Sequence, residues 1–396
     1  MADMLLIESI SEIDPSEWDE LAREDILASH AWLRLIEESA LTPLRCRCLL
    51  AREGSKLQAV IFFWRQHRHD TQTTMDVFLF GRLSRLFRLF GLTVQPAFVA
   101  GQISGWRRTI LFRGDLSADD RRSLLSRMLP FLETAARAER HTLCFRGIAP
   151  DDAEVVDEFS SRNYLCTPDL PVCYLDIEWQ DFDGYLRALR RCHPRTEKGI
   201  RHEINRFNRS GVTIVRLEDP AGVCGRLHAV VDSHYRRLNG RPFPFRPEFF
   251  AELKSRMGDK ALVYTALRND QIIGVLVMLR NDREAYLPII GIDTEDVRKD
   301  AIYFNLAFNR PIREAIEAGL DRIYFGRLVY NTKIRRGCRL SDVNLYLRAG
   351  SGLGGLWLRP LLACRSWRMR AVLNSLAGQG TAHPVTCIHS SQGEQT

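Results

Sequence analysis

The chain has 396 residues, of which 45% are apolar and 27% are charged, a composition typical of soluble globular proteins that leaves room for two domains with separate cores. Its net charge of +7 suits an anionic partner such as a nucleotide, tRNA or a membrane surface, and a mildly basic soluble enzyme fits it equally well. The ten cysteines lack disulfide or zinc spacing. No apolar run reaches the roughly 20 residues of a membrane span, and the opening MADMLLIESI is unlike a signal peptide. We therefore expect reduced thiols and a cytoplasmic protein.

The first half of the sequence alternates strand and helix patterns. Short β-favouring runs between turn residues predict strands, and apolar residues at helical spacing after a cap such as Ser29 predict helices. The expected strands are 4–8, 46–52, 57–65 and 142–146, and the expected helices are 16–23, 30–39, 78–90, 118–138 and 151–161; a strand over 172–177 follows the boundary between the halves. Pro130 is expected to kink or break its helix, and Pro168 and Pro171 mark a linker.

The second half repeats this order about 170 residues later, which indicates two structurally related halves. The expected helices are 182–190, 196–209, 221–239 and 247–257, and the expected strands are 212–216, 261–268, 272–280, 285–291 and 343–347. We therefore predict an α/β fold with mixed sheets, one domain over 1–166 and a second over 167–349. A basic amphipathic tail over 350–396 would follow, and we expect its last fifteen or so residues to be disordered.

A single stretch organises the second half. Apolar residues at helical spacing predict a helix over 301–320, and a short β-favouring run predicts a buried strand over 322–325. A cationic loop with Lys333, Arg335 and Arg336 follows. A helix, a strand and a cationic loop at the strand's end commonly build an anion or carbonyl site in α/β folds.

Two segments combine apolar residues with arginines. In 78–90, leucines and phenylalanines recur at helical spacing, while Arg82, Arg85 and Arg88 step by three. Segment 357–376 mixes tryptophans and leucines with four arginines. Each segment fits a helix on a membrane surface, and each fits a helix packed on the protein body with a solvated arginine face.

Familiar catalytic signatures are absent from the sequence. We find no GxSxG, HExxH, GxGxxG or P-loop and no paired Cys/His spacing, which disfavours common hydrolases, dehydrogenases, NTPases and metal sites. The candidates for a functional site that remain are cationic segments. The basic run 187–209, with Arg201 on its cationic face, would attract a phosphate or an acidic substrate unless it is a solvated surface. Lys333 could bind a donor phosphate or stabilise charge on an acyl carbonyl, or be a surface lysine.

Several motifs together resemble the FemAB-like acyltransferases of the GNAT superfamily, which have two tandem acetyltransferase-type domains. The opening IDPSEW followed by SHAWL resembles the first-domain entry of that family, and 195–211 resembles its basic helix. Residues 274–337 resemble the second domain's hairpin, helix and terminal K-x-x-x-G loop, here Lys333 to Gly337. The Q/R-x-x-G-x-G/A pyrophosphate motif is absent, as is a coiled-coil arm between 209 and 221, and Tyr303-Phe304-Asn305 replaces a His-Phe-Glu found in one subgroup.

The resemblance implies two tandem GNAT-like domains and transfer of an acyl or aminoacyl group onto an amine. It places Lys333 at the transfer site, without a metal, with acyl-CoA as donor or aminoacyl-tRNA as the alternative donor. The expected substrate contacts are Arg201, His234, Tyr235, Asn305, Tyr330, Arg335 and Arg336.

The function that we predict is an N-acyltransferase acting on a cell-envelope, polysaccharide or small-metabolite precursor. The alternatives are a tRNA-dependent aminoacyltransferase of the Fem type and a non-catalytic protein that binds an envelope precursor or a membrane surface. The protein would be cytoplasmic or peripheral at the inner membrane surface. The sequence leaves the oligomeric state open.

Overall fold

The computed structural model describes residues 3–23, 25–67, 74–101, 109–293, 301–348 and 354–380. Its strands are β1 (Asp3–Ile7), β2 (Cys46–Glu53), β3 (Lys56–Gln66), β4 (Ala97–Ala100), β5 (Ile110–Phe112), β6 (Thr142–Ile148), β7 (Leu165–Pro168), β8 (Val172–Asp176), β9 (Val212–Leu217), β10 (Ala261–Arg268), β11 (Gln271–Arg280), β12 (Glu284–Ile292), β13 (Arg322–Gly326), β14 (Arg339–Ser341) and β15 (Asn344–Arg348).

The helices lie between these strands in chain order. They are α1 (Pro15–Ala22), α2 (His30–Ser39), α3 (Met75–Phe80), α4 (Ser84–Leu89), α5 (Ala118–Ala138), α6 (Ala153–Ser161), α7 (Phe182–Cys192), α8 (Pro194–Asn208), α9 (Cys224–Asn239), α10 (Glu248–Met257), α11 (Ile302–Phe304), α12 (Arg310–Glu317), α13 (Tyr330–Arg335) and α14 (Gly354–Gly380). A π-helical segment, Asn305–Asn309, joins α11 to α12. Short 3₁₀ turns occur at Ile10–Glu12, Ile26–Ala28, Gly81–Leu83, Ala221–Val223 and Gly258–Lys260.

The strands form two mixed sheets, which confirms the predicted fold class. The first sheet has the order β1-β2-β3-β4-β6-β15-β7, with β5 also paired to β3, and the second has the order β14-β8-β13-β12-β11-β10-β9. In each sheet one parallel pair, β4 with β6 and β12 with β13, lies among antiparallel neighbours. The two sheets thus repeat one arrangement.

The two halves exchange a strand. β8 follows β7 after a three-residue gap, yet it lies between β13 and β14 in the second sheet. β15 follows β14 in the same way and lies between β6 and β7 in the first sheet. The segments that cross between the sheets are 169–171, from β7 to β8, and 342–343, from β14 to β15. These crossing segments touch, because the Asp169 amide donates to the Val343 carbonyl at 2.9 Å. The predicted boundaries after 166 and 349 remain predictions, and the strand predicted to end the second domain belongs to the first sheet.

Helices cover both faces of each sheet, so strands such as β2 are buried along most of their length. One core contains α1 and α2 from the first half and α9 and α10 from the second half, and it therefore joins the halves; the Trp32 and Phe249 rings meet there, 5.9 Å apart. On the outer faces, α5 and α6 cover the first sheet, while α7, α8 and the 302–317 helix cover the second. A smaller cluster joins α3, β4, β15 and α14.

Most predicted elements are confirmed to within a few residues, including the Ser29 cap, whose hydroxyl accepts from the Trp32 amide. Of the kink or break predicted at Pro130, the break is wrong, because α5 continues through this residue, and the kink stays a prediction. The predicted helix over 78–90 is two short helices, since Gly81 adopts a positive φ of 55° between them. The predicted loop after β13 is the helix α13. Within the described residues, no helix combines the length and hydropathy needed to cross a bilayer.

Candidate functional site

The parallel strands β12 and β13 pair over a short distance and then separate. Their register covers only Glu284 with Arg322, through Tyr286 with Tyr324, whereas β12 continues to Ile292. The cause lies in the sequence of β12. Pro288 has no amide hydrogen, and between Tyr286 and Ile289 two residues of β12 oppose one residue of β11, which is a β-bulge. A bulge bends the strand that carries it, and the pairing of β12 with β13 ends beside this one. The gap lies at the carboxyl ends of the strands, where α/β folds bind ligands.

Residues with strained backbone follow both strands in the chain. Leu328 and Val329, after β13, have φ of 67° and 53°, and Ala301, before α11, has φ of 54°. Such angles are uncommon for residues other than glycine and are outliers for a β-branched valine. Leu328 and Val329 also expose more than half of their side chains. Strain of this kind tends to cluster at functional sites, and here it points to the carboxyl ends of β12 and β13.

Lys333 holds the turn after β13. Its ammonium is buried and donates to the carbonyls of Phe325 at 2.8 Å, Gly326 at 3.2 Å and Arg327 at 3.0 Å. An ammonium has three donors, so all of them are used. Burial lowers the pKa of Lys333. The geometry gives this lysine a structural task at the end of β13, and its predicted role in acyl transfer remains a prediction.

Tyr330 lies one turn before Lys333 on α13. Its hydroxyl donates to the Pro171 carbonyl at 3.1 Å, in the segment that crosses from β7 to β8. Burial raises the pKa of Tyr330 to about 12, so the phenol is protonated near neutral pH. Tyr330 therefore ties α13 to the crossing segment, and its single O–H would have to leave the Pro171 carbonyl to reach a ligand.

A buried ionic cluster ties the same crossing segment to both sheets. The Asp169 carboxylate accepts from Arg146 on β6, at 3.0 and 3.2 Å, and from Arg327 just after β13, at 3.1 and 3.2 Å. Burial opposes ionisation of Asp169, but the two arginines outweigh it and lower its pKa to about 2. This cluster fixes the end of β13 relative to the first half of the chain.

A second polar cluster lies on the outer face of the second sheet. The buried Arg336 guanidinium binds the Glu203 carboxylate at 2.7 and 2.9 Å, and it stacks over the rings of Phe304 and Phe308. Asn305, in the π-helical segment, donates to the Glu203 carbonyl at 3.2 Å. The structure thus brings two predicted contacts, Arg336 and Asn305, together through Glu203. Helices often carry π-helical segments at functional positions.

The Asn305 side chain is linked to Asn309. Asn305 also donates to the Ala301 carbonyl at 3.0 Å, and its own carbonyl accepts from the Asn309 amide at 3.0 Å. The Asn309 oxygen and one nitrogen of Arg336 are buried, and neither has a hydrogen-bond partner among the described residues. Unpartnered polar atoms of this kind are rare in folded interiors.

The remaining predicted contacts do not converge on one point. His234, on α9, is buried and accepts at Nδ1 from Arg237 at 2.9 Å; burial and that arginine lower its pKa. The ring of Tyr235 packs on Phe243, with ring centroids 5.7 Å apart. Arg201 is exposed on α8 and pairs with Glu197 and Asp183 of the second half. Arg335 is exposed on α13, so it separates from its buried neighbours Lys333 and Arg336.

Sequence reasoning missed Pro288, Asp169 and Glu203. Pro288 interrupts an otherwise apolar strand, and a proline within a strand signals a bulge or an edge. Asp169 stands between two prolines in a short linker, where nothing in the sequence indicates burial. Glu203 is one of two glutamates in a basic helix, and only the fold shows that it turns inward to Arg336.

Comparisons with known proteins agree with this architecture. Residues 194–333 match the family described as acetyltransferase (GNAT) domain. A search of curated proteins found no match. The matched segment begins at α8, includes the separated strands β12 and β13, and ends at Lys333.

Solved structures share the fold across most of the chain. They include the C-terminal domain of a putative lysylphosphatidylglycerol synthetase from Agrobacterium fabrum, with 14% identity and a TM-score of 0.55, covering 88% of this chain and 96% of that chain. FemX has 10% identity and a TM-score of 0.54, covering 86% and 96%. A tandem GNAT protein from the clavulanic acid biosynthesis pathway has 11% identity and a TM-score of 0.51, covering 89% and 100%. Residues 194–333 are thus similar to an acetyltransferase (GNAT) domain, and the chain has the tandem GNAT fold that its likeness to FemAB-like proteins predicted.

Proposed function

We propose that this chain is an N-acyltransferase that moves an acyl group from a CoA thioester to a primary amine. The observation that carries the proposal is the gap between β12 and β13, which lies beside a bulge at Pro288 and is followed, after β13, by the strained residues Leu328 and Val329. The GNAT domain match spans this gap and its flanking helices.

The gap leaves one edge of β12 without ladder bonds to β13 beyond Tyr286 in the described strands. An exposed strand edge binds an extended chain through its backbone amides and carbonyls. The amide-containing arm of CoA is such a chain, and it would place the thioester near the turn after β13. A backbone amide there would also stabilise the negative charge that develops on the attacked carbonyl oxygen.

The transfer requires balanced proton movement. The neutral amine attacks the thioester carbonyl carbon, a C–N bond forms, the C–S bond breaks and the CoA thiolate takes up a proton. We assign proton donation to Tyr330, because its phenol is protonated near neutral pH and the residue directly follows the strained turn. Its O–H would turn from the Pro171 carbonyl to the thiolate, and the phenolate would regain a proton from solvent. Lys333 acts as a positioning residue that fixes the turn carbonyls. The amine proton leaves to solvent or to a base that we do not assign.

The acceptor class that we propose is an amine on a cell-envelope, polysaccharide or small-metabolite precursor. The exposed cations of α8, among them Lys198, Arg201 and Arg206, would attract an anionic precursor. One structure with this fold is described as part of a putative lysylphosphatidylglycerol synthetase, which makes an envelope precursor a reasonable first test. The reaction would take place in the cytoplasm or at the inner membrane surface.

A Fem-type reaction with aminoacyl-tRNA is the second candidate. The same exposed cationic face of α8 favours it, because phosphate backbones bind to such faces. Bound RNA in the purified protein, and donor binding that weakens steeply with salt, would support aminoacyl-tRNA over acyl-CoA.

The experiment measures both donor binding and thiol release. Thermal shift with acetyl-CoA, longer acyl-CoAs and aminoacyl-tRNA identifies a donor that stabilises the native state. Release of CoA thiol in the presence of glucosamine, lysine or ethanolamine then reports transfer. We expect Tyr330→Phe to lower kcat by about 10²–10⁴-fold while donor binding stays near wild type.

The matched control is Tyr164→Phe, in the other half of the chain. Its hydroxyl also makes a single hydrogen bond, to Glu133 at 3.1 Å. This variant should retain wild-type transfer. Full activity of Tyr330→Phe would remove the proposed proton donor, and the failure of every CoA thioester to bind would overturn the choice of donor.

A further inference from the structure

The predicted amphipathic segments meet in space. The helices α3 and α4 and the C-terminal helix α14 form the walls of a groove of about 700 Å³, which falls within the roughly 300–1,000 Å³ typical of ligand pockets. Most of its lining is apolar and includes Phe80, Phe87, Leu361 and Met369. This groove plays no part in the proposed acyl transfer.

The groove is firmly attached to the body of the protein. Phe78 lines it and lies between two guanidinium groups, that of Arg146 at 4.0 Å and that of Arg365 at 5.2 Å from the ring centroid. The rings of Phe80 and Trp357 meet across the two walls, 5.9 Å apart. The walls are therefore positioned by specific contacts and are not loosely placed helices.

Large apolar side chains stand exposed around the groove. Leu89 is 83% exposed, Phe90 72% and Trp367 73%, and Leu83, Leu86 and Val372 are each about half exposed. Neighbouring apolar residues that all face solvent usually mark a surface that binds a partner or a membrane.

Cations alternate with these apolar side chains. Arg82 and Arg85 on one wall, and Arg359, Arg368 and Arg370 on the other, are exposed. Neither wall contains an acidic residue apart from Asp76, which is buried and hydrogen-bonded to the Val94 amide. Exposed leucine, phenylalanine and tryptophan combined with arginine are typical of helices that lie in the headgroup region of a bilayer.

We propose that this surface docks the protein on a bilayer that contains anionic phospholipid, with an acyl chain entering the groove. A second copy of the chain is a poorer occupant than an anionic bilayer, because two such surfaces packed against each other would bring arginines against arginines. The remaining C-terminal residues, 381–396, contain only Val385 and Ile388 as large aliphatic side chains and do not match a long apolar groove.

The test uses the full chain with phosphatidylcholine vesicles, prepared with or without phosphatidylglycerol, and measures co-sedimentation. We expect wild type to bind the anionic vesicles, to bind pure phosphatidylcholine weakly and to dissociate as salt rises. Each arginine near an anionic surface contributes about 1 kcal/mol, so Arg82→Gln with Arg368→Gln should weaken binding about thirtyfold. Leu89→Ser with Phe90→Ser should weaken it through lost apolar contact.

Two matched variants control for general charge and hydrophobicity. Arg137 is exposed on α5, and Leu238 is 67% exposed on α9; both lie outside the groove. Arg137→Gln and Leu238→Ser should leave vesicle binding unchanged. An equal loss in these controls would overturn the proposal.

Two further outcomes would contradict the docking surface. Wild type that binds neither vesicle, or binds both equally, refutes recognition of anionic lipid. A concentration-dependent dimer that Leu89→Ser with Phe90→Ser dissociates, without vesicle binding, would assign the surface to a second copy. Release of CoA thiol is measured without vesicles, so it tests the proposed acyl transfer independently of membrane docking. Either proposal can therefore fail while the other stands.

Discussion

Replacing Lys333 with methionine separates a structural role from a chemical one. The substitution keeps most of the side-chain volume but removes the three hydrogen bonds to the carbonyls that end β13. Bonds to a charged group contribute about 1.5–3 kcal/mol each, and the desolvation of the buried ammonium, which also lowers its pKa, offsets part of the total. We expect a net loss of about 3 kcal/mol in the free energy of unfolding.

Urea unfolding, monitored by tryptophan fluorescence, measures this loss. An unchanged m-value shows that the variant and wild type expose the same surface on unfolding, so their free energies of unfolding can be compared. Lys198→Met on the exposed face of α8 is the matched control and should remain within about 0.5 kcal/mol of wild type. If Lys333→Met retained wild-type stability, the structural reasoning would fail. Retained stability together with lost thiol release would restore Lys333 to the predicted role in acyl transfer.

Three further predictions concern the scaffold of the site. Gly291→Ala should lower the free energy of unfolding in urea by about 1–3 kcal/mol, because the new methyl group would come within 2.6 Å of the Val231 Cα. The control is Gly199→Ala on α8, where the methyl group meets open space, so this variant should be neutral or stabilising. Asp169→Asn leaves two largely buried arginines without their counter-charge and should cost about 3 kcal/mol; an unchanged melting temperature would contradict this. Burial lowers the pKa of His141 from 6.5 to about 4. The unfolded state therefore binds a proton that the folded state does not, and the free energy of unfolding should fall as the pH drops from 6.5 to 4. A stability difference between wild type and His141→Gln that stays constant over this pH range would refute the linkage.

The sequence by itself determined most of the elements. Local spacing and caps are enough for α2, for the hairpins β2–β3 and β10–β11, and for the 302–317 helix followed by β13. The repeated order of elements also indicated two related halves. Such signals lie within one or two turns of chain, so they can be read without knowing the fold.

Only the tertiary structure decided which residues meet. Lys333 looked like an accessible catalytic cation, yet the carbonyls that surround it become neighbours only when α13 folds back onto the end of β13. Arg336 pairs with Glu203 across more than a hundred residues, and the strand exchange places β8 and β15 in a different sheet from the strand that precedes each of them. The Lys333 contacts are close in the chain but depend on the burial of charge, whereas the Arg336 pair and the strand exchange depend on long-range packing. Neither is encoded in the spacing of a single segment.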